Sequence, residues 1–311
     1  MSLVNEEIWA ERWRPTKLED VVISDSLRSK FDNMIKTDNI PNMTLYSSQP
    51  GSGKTTIAKL LVKVLDREHL FLNGSKENGI DMLRNKVETF CMTQSFNGKK
   101  KVIIIDEADY LTINSAMPAL RGMIEQFHNN CSFILTCNYK ERIIEPLISR
   151  CPIIDFNIKF DERLVIAKNI QKRMFNILEQ SNIDYDKRTV TNIIQDAFPD
   201  IRSIISKLQE IYNATGRVNE YISETKESLY APIVDYIKSK NYKMIKEWVR
   251  NNSFNTRVYK DLYDVLYKEI AETSKLKISI ILIISKYENR SIVGNKEISL
   301  LACLTEIMSD W

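Results

Sequence analysis

Ser48-Gln-Pro-Gly-Ser-Gly-Lys-Thr55 decides how the rest of the chain is read. It follows a short apolar run, Met43–Tyr46, and leads into apolar positions at helical spacing: Ile57, Leu60, Leu61, Val64 and Leu65. Strand, glycine-rich turn and helix form the context in which a Gly-Lys-Thr ending cradles phosphate. Gly51 and Gly53 let backbone N–H groups turn inward, and the N-terminus of the following helix adds partial positive charge. Lys54 is expected to reach the β- and γ-phosphates of a nucleoside triphosphate, and the Thr55 hydroxyl to ligate Mg2+. Ser48, Gln49, Pro50, Gly51, Ser52, Gly53, Lys54, Thr55 and Thr56 are therefore the expected nucleotide-binding loop. The usual pattern begins with glycine, and Ser48 stands in that place.

Four more short apolar runs follow: Leu70–Leu72, Val102–Ile105, Phe133–Thr136 and Ile153–Phe156. Several are rich in β-branched residues, as buried strands are. Helical patterns lie between them, such as Ile80, Leu83, Val87 and Phe90. Strands alternating with helices predict an α/β fold with a five-stranded parallel sheet covered on both faces. Beyond residue 160 the strand signal fades. Leu164–Leu178, Thr189–Phe198, Ile201–Tyr212, Leu229–Lys238, Tyr242–Arg250, Val258–Ala271, Leu276–Tyr287 and Ile298–Met308 all read as amphipathic helices. The polar stretch Thr215–Ser228 is the expected boundary between two helical parts.

The 311 residues suffice for two or three domains, and 43% hydrophobic with 27% charged residues is ordinary for a globular protein. A net charge of +3 neither requires nor excludes a nucleic-acid partner. Cys91, Cys131, Cys137, Cys151 and Cys303 lack zinc-knuckle spacing and read as scattered core thiols. The start is polar and acidic (Asn5, Glu6, Glu7), unlike a signal peptide. The most apolar window, Ile278–Ile284, is too short to span a membrane. A soluble intracellular protein is expected.

Val102-Ile-Ile-Ile-Asp-Glu-Ala-Asp109 is the second chemistry-bearing stretch. Its four apolar residues make a buried strand with Asp106 at the C-terminal tip, where open α/β sheets bind ligands. Asp106 is a metal-ligating candidate, and Glu107 a candidate to polarise water for attack on the γ-phosphate. Asn138 follows the next strand. It suits either orientation of that water or a cap on the turn before Tyr139. Lys99–Lys101 read as a solvated loop leading into a strand.

Taken together, these features resemble the AAA+ ATPases of the clamp-loader group over essentially the whole chain. The matching features, in order, are Glu11-Arg-Trp-Arg-Pro15 with Leu18-Glu-Asp-Val-Val22, the phosphate loop, Asp106-Glu-Ala-Asp109 and Ser149-Arg-Cys151. The resemblance implies an AAA+ nucleotide-binding domain at 1–158, a helical lid at 159–225 and an all-helical collar at 226–311. It implies that Arg150 acts in trans as an arginine finger, that Asn138 is the first sensor and Arg202 the second, and that Arg12 to Pro15 with Val21 and Val22 pack around the adenine. Within the group, the large ATPase subunit of T-even phage loaders also has serine at the start of its phosphate loop. Replication factor C small subunits of cellular organisms, and other AAA+ DNA-remodelling ATPases, stay open as alternatives.

The resemblance further implies partners. These are a sliding clamp, primer–template DNA, and copies of the chain itself with a small non-ATPase subunit in a five-subunit ring. Lys76, Arg84 and Lys86, with Asn114 and Ser115, are candidates for DNA contact, though each also fits a solvated helix face. Met92 and Phe96 are candidates for the clamp, and equally for folding back on the core. Pro118 is tolerable only in a first helical turn or at a kink.

Overall fold

Every apolar run expected to be a strand is one in the computed structural model, which describes residues 8–221, 226–252, 258–269 and 275–311. β1 (Met43–Tyr46), β2 (His69–Asn73), β3 (Lys101–Asp106), β4 (Cys131–Cys137) and β5 (Ile153–Asp155) form one sheet of order β2-β3-β4-β1-β5. All four pairings are parallel. β1 and β4 are buried throughout, so neither run alternates polar with apolar residues. The chain divides into two compact units, Met1–Tyr221 and Ile222–Trp311.

In the first unit, α1 is Trp9–Arg12, α2 Asp25–Lys36 and α3 Lys54–Val64; α4 (Ile80–Met82) continues through a π-helical stretch, Leu83–Glu88, into α5 (Thr89–Met92). After these come α6 (Ala116–Gln126) and the single turn α7 (Glu145–Ile148). Pro118 is the third residue of α6, within the first turn, where its missing N–H costs nothing. Successive β3 side chains serve opposite faces. Ile103 and Ile105 pack with Leu83, Val87 and Leu120, whereas Val102 and Ile104 pack with Phe31, Ile57 and Leu61. Each such fully buried aliphatic side chain contributes about 1.5–3 kcal/mol.

α8 (Arg163–Gln180), α9 (Lys187–Ala197) and α10 (Ile201–Thr215) complete this unit. The Asp186 and Asp200 carboxylates cap α9 and α10 by accepting the N–H of Thr189 and Ser203. Trp9 belongs to the same apolar cluster, with its N–H on Gln209 Oε1 at 2.9 Å.

Lys101 departs from the expectation of a solvated loop. It opens β3 and is 1% exposed. Its ammonium donates to the Phe90 carbonyl at 2.8 Å and to Thr93 Oγ1, and lies 3.7 Å from the Glu68 carboxylate. The end of α5 has unfilled carbonyls, and a buried ammonium with three donors fills that need.

The second unit contains α11 (Lys226–Lys238), α12 (Tyr242–Asn251), α13 (Val258–Lys268), α14 (Lys275–Val293) and α15 (Lys296–Asp310). Asn241 and Asn295 cap α12 and α15. Ile237, Ile245, Leu262, Leu266, Ile280 and Leu304 form the centre of its core. Residues 270 and 271 of the expected helix Val258–Ala271, and residues 222–225 of the expected lid, lie outside the described residues. No helix of the described residues is long and apolar enough to cross a membrane.

Candidate active site

Gly51 and Gly53 adopt φ of +68° and +90°, a region where a side chain is strained. A Cβ on Gly51 would also fall 1.9 Å from Asp200 Oδ1 on the cap of α10. The turn delivers Lys54 into a half-enclosed position. Its ammonium donates to Asn138 Oδ1 at 2.9 Å, Ser52 Oγ at 3.2 Å and the Gln49 carbonyl at 3.4 Å. Burial pushes the Lys54 pKa below its ordinary value, and Asp106 and Asp109 partly oppose this. The neighbouring Cys137 thiol is itself pushed up to about 12 by burial and is neutral at pH 7.

Thr55 Oγ1 donates to Asp106 Oδ1 at 2.7 Å. A hydroxyl and one carboxylate, both oxygen donors, suit a hard divalent cation that keeps most of its coordination for phosphate and water. The backbone cradle and this donor pair fit a magnesium nucleotide. Ser48, by contrast, faces out of the cleft. Its N–H and hydroxyl donate to Asn157 Oδ1 at 3.0 and 2.8 Å, tying the start of the loop to the segment after β5. A glycine could make only the first of these bonds. Gln49 and Pro50 likewise do not line the cleft, whose floor is Gly51–Thr56.

Asp106 and Glu107 stand at the tip of β3, and Asn138 directly after β4. Glu107 has φ +56°, unusual for a residue with a side chain. Its N–H donates to Thr136 Oγ1 at 3.0 Å, and the Thr136 hydroxyl donates to Asp106 Oδ1 at 2.7 Å. Gly74 presses from below, where a Cβ would come 2.5 Å from the Glu107 carbonyl oxygen. Asp109 accepts the N–H groups of Asn138 and Tyr139. Sequence reading gave Thr136, Gly74 and Asp109 no role. Only Asp109 carried a signal, as the last letter of the acidic box.

The opposite wall comes from the N-terminal segment and α10. Trp13, Arg14, Val22, Ile201 and Arg202 line the cleft. Arg202 stands close enough to Lys54 to weaken its hold on a proton. Arg14 reaches Thr56 Oγ1 at 3.3 Å and pairs with Glu11 at 2.6 Å. Arg12 is not in the wall; its guanidinium lies over the Trp13 ring at 5.5 Å. The rest of the segment expected around the adenine, Trp13 to Pro15 with Val21 and Val22, does line the cleft. Arg173, which the sequence did not single out, lines the cleft and donates to the Trp13 carbonyl at 2.8 Å.

The remaining candidates lie elsewhere. Arg150 pairs with Glu125 of α6 through Nε and a terminal nitrogen, and donates to the Pro146 carbonyl at 2.8 Å. Lys76, Arg84 and Lys86 are exposed, and Lys86 pairs with Glu77 at 2.6 Å. Asn114 is exposed, while the Ser115 hydroxyl meets Thr112 Oγ1 at 2.6 Å. Thr112 also bonds the Asn78 carbonyl at 3.2 Å, which joins the start of α6 to the start of α4. Met92 and Phe96 are both exposed at the end of α5 and beyond.

Residues 44–158 match the ATPase family associated with various cellular activities (AAA). The sliding-clamp-loader large subunit of Escherichia phage RB69 is 32% identical, over 78% of this chain and 76% of that one. The replication factor C small subunit of Methanosarcina barkeri is also 32% identical, over 94% and 85%. The Holliday junction branch migration motor RuvB of Thermotoga maritima superposes with a TM-score of 0.54 at 14% identity over 73% and 80%, a likeness of fold alone. Identity of this level over most of both chains settles kinship where the fold does not: the chain belongs to the clamp-loader ATPases of the AAA family.

Proposed function

We propose that this chain is the ATPase subunit of a sliding-clamp loader of the phage type, which uses ATP to open a ring clamp and place it on primer–template DNA. Lys54 and the loop N–H groups hold the phosphates, Arg202 and Asn138 contact the γ-phosphate, and Thr55 and Asp106 hold magnesium. The metal supplies charge neutralisation on the phosphate oxygens. Glu107 accepts a proton from water as that water attacks phosphorus, and a neighbouring copy's Arg150 offsets charge developing in the transition state.

What supports the reading is the division of the catalytic groups. Lys54, Asp106, Asn138 and Arg202 gather about one cleft, whereas Arg150 has its partners on Glu125, Pro146 and Ser149. A finger that faces away from its own loop fits action on a second copy. The second unit offers a surface for such assembly, because Ile278, Ile281 and Leu282 are exposed at one-face spacing on α14. Residues 1–158, 159–225 and 226–311 then act as nucleotide-binding domain, lid and collar. The ring would hold four copies and one small non-ATPase subunit. Lys76, Arg84, Lys86, Asn114 and Ser115 face the DNA backbone, and Met92 and Phe96 meet the clamp. Ser48 favours the phage branch over cellular replication factor C.

The test is ATP turnover by the reconstituted ring with clamp, with primed DNA, and with both. The expected result is a rise of at least about tenfold with both together. Turnover indifferent to clamp and DNA would refute loading.

A further inference from the structure

The hydrogen-bonded ladder between β3 and β4 ends where Ile105 stands opposite Leu135. Glu107 and Asn138 lie just beyond, where pairing between these two strands no longer fixes them, although Asp106 keeps its pairing with Asn73 of β2. Side chains take over there, one from β4 and one from the turn after β3. From β4, Thr136 Oγ1 accepts the N–H of Glu107 at 3.0 Å and donates to Asp106 Oδ1 at 2.7 Å. From the turn after β3, Asp109 Oδ2 accepts the N–H of Asn138 at 3.1 Å and that of Tyr139 at 3.0 Å. Thr136 of β4 thus grips the main chain just after β3, and Asp109 of the turn after β3 grips the main chain just after β4. Asp109 is 3% exposed and Thr136 2%, so both gripping side chains are themselves held away from water and fixed by their surroundings.

We propose that Asp109 and Thr136 are positioning residues for ATP hydrolysis, forming a reciprocal clip that fixes Glu107 and Asn138 relative to Lys54 and Asp106. The inference rests on the reading of Glu107 and Asn138 as groups that act in hydrolysis.

Two observations show why a clip is needed. Glu107 holds a left-handed backbone that is strained for an L-residue, so it persists only where its surroundings enforce it. The Thr136 bond and the close approach of Gly74 supply that enforcement. Asn138 in turn meets Lys54 through a single 2.9 Å bond from Nζ to Oδ1. A shift of about 1 Å in its peptide breaks that bond, and displacements of this size cost catalysis heavily.

The clip also makes a chemical demand that separates it from a role for charge. One carboxylate oxygen of Asp109 takes both N–H groups, while the other is buried with no hydrogen-bond partner among the described residues. An amide satisfies the same geometry, its oxygen accepting both N–H groups and its nitrogen occupying the unpartnered place. The clip needs an acceptor at Asp109 rather than a charge; the charge itself only helps to offset the burial of Lys54.

The experiment measures kcat and KM for ATP, together with ADP affinity, on the full-length chain in its assembled form. Asp109→Ala and Thr136→Val should each lower kcat by at least about tenfold while KM and ADP affinity stay within about threefold. Asp109→Asn and Thr136→Ser, which keep the acceptors, should retain kcat within about threefold. A loss in Asp109→Asn as deep as in Asp109→Ala would show that charge matters and overturn the clip. So would a Thr136→Val enzyme of lowered Tm but normal kcat, the result of a purely structural role. Thr136→Val is isosteric and decides the matter even if Asp109→Ala does not fold. Glu107→Gln and Asn138→Ala run alongside. Full turnover in either would overturn the site reading beneath the proposal; loss in both with normal Thr136→Val would overturn the clip alone.

Discussion

Lys54 carries a conflict that sets a testable sign. Burial holds its folded-state pKa below the ordinary 10.5. Between the folded and unfolded values the unfolded chain binds more protons, so stability of the nucleotide-free chain rises with pH across that window. Below the window the buried charge costs stability at every pH. Lys54→Met should therefore raise the Tm of the nucleotide-free chain while abolishing ATP binding, and it should lose the alkaline gain in stability. Thermal melts from neutral pH to about pH 10 read both effects. A variant with lower Tm would mean that the bond to Asn138 outweighs the burial cost. The site residues legible in the sequence were those whose side-chain type is itself the chemistry: Lys54, Thr55, Asp106, Glu107 and Asn138 all stand at the loop or the adjoining strand tips. Thr136 and Gly74 were not legible, because one grips a main-chain N–H and the other is defined by an approach that only the fold brings about. Of the segment Arg12 to Pro15 expected around the adenine, Trp13, Arg14 and Pro15 line the cleft and Arg12 does not, a distinction between neighbours that a linear motif does not register.

Among the elements, the strands were legible because burial on both faces leaves an uninterrupted apolar run, and helices because their apolar positions recur. Lys101 escaped that logic, since a charged residue at the head of an apolar run reads as its solvated border. Its ammonium serves the end of α5, which lies next to β3 in space although not in sequence. The exposed Met92 and Phe96 follow directly from that helix end, so Lys101 also governs how they are presented. Lys101→Met should cost about 2 kcal/mol, the worth of charge-assisted hydrogen bonds less the relief of an unburied charge. Urea unfolding reads that loss. ATP KM should be unaffected, because the residue stands at the opposite end of β3 from Asp106, and the clamp's stimulation of turnover should fall with it. An unchanged urea midpoint would mean that the bonds at the end of α5 contribute nothing net.

At the scale of the whole molecule, the question is whether one chain is a complete enzyme. Arg150 is held by Glu125 on a partly exposed surface, and exposed ion pairs are worth about 0–1 kcal/mol, so exchanging Glu125 for a neighbour's phosphate costs little. Arg150→Ala should leave ATP binding intact, since no loop contact is lost, yet lower turnover by about 10³-fold or more if the finger acts as such groups do. Lys54→Met abolishes turnover for the opposite reason, with its finger intact. Mixing the two inactive chains places an intact loop from one beside an intact finger from the other. Random neighbours make roughly one interface in four complete, so turnover should return to about that fraction of normal. Restoration should also depend on protein concentration, because the site exists only between chains. A mixture as inactive as its parents would mean that Arg150 serves its own chain, and the proposed ring would lose its reason to assemble around ATP.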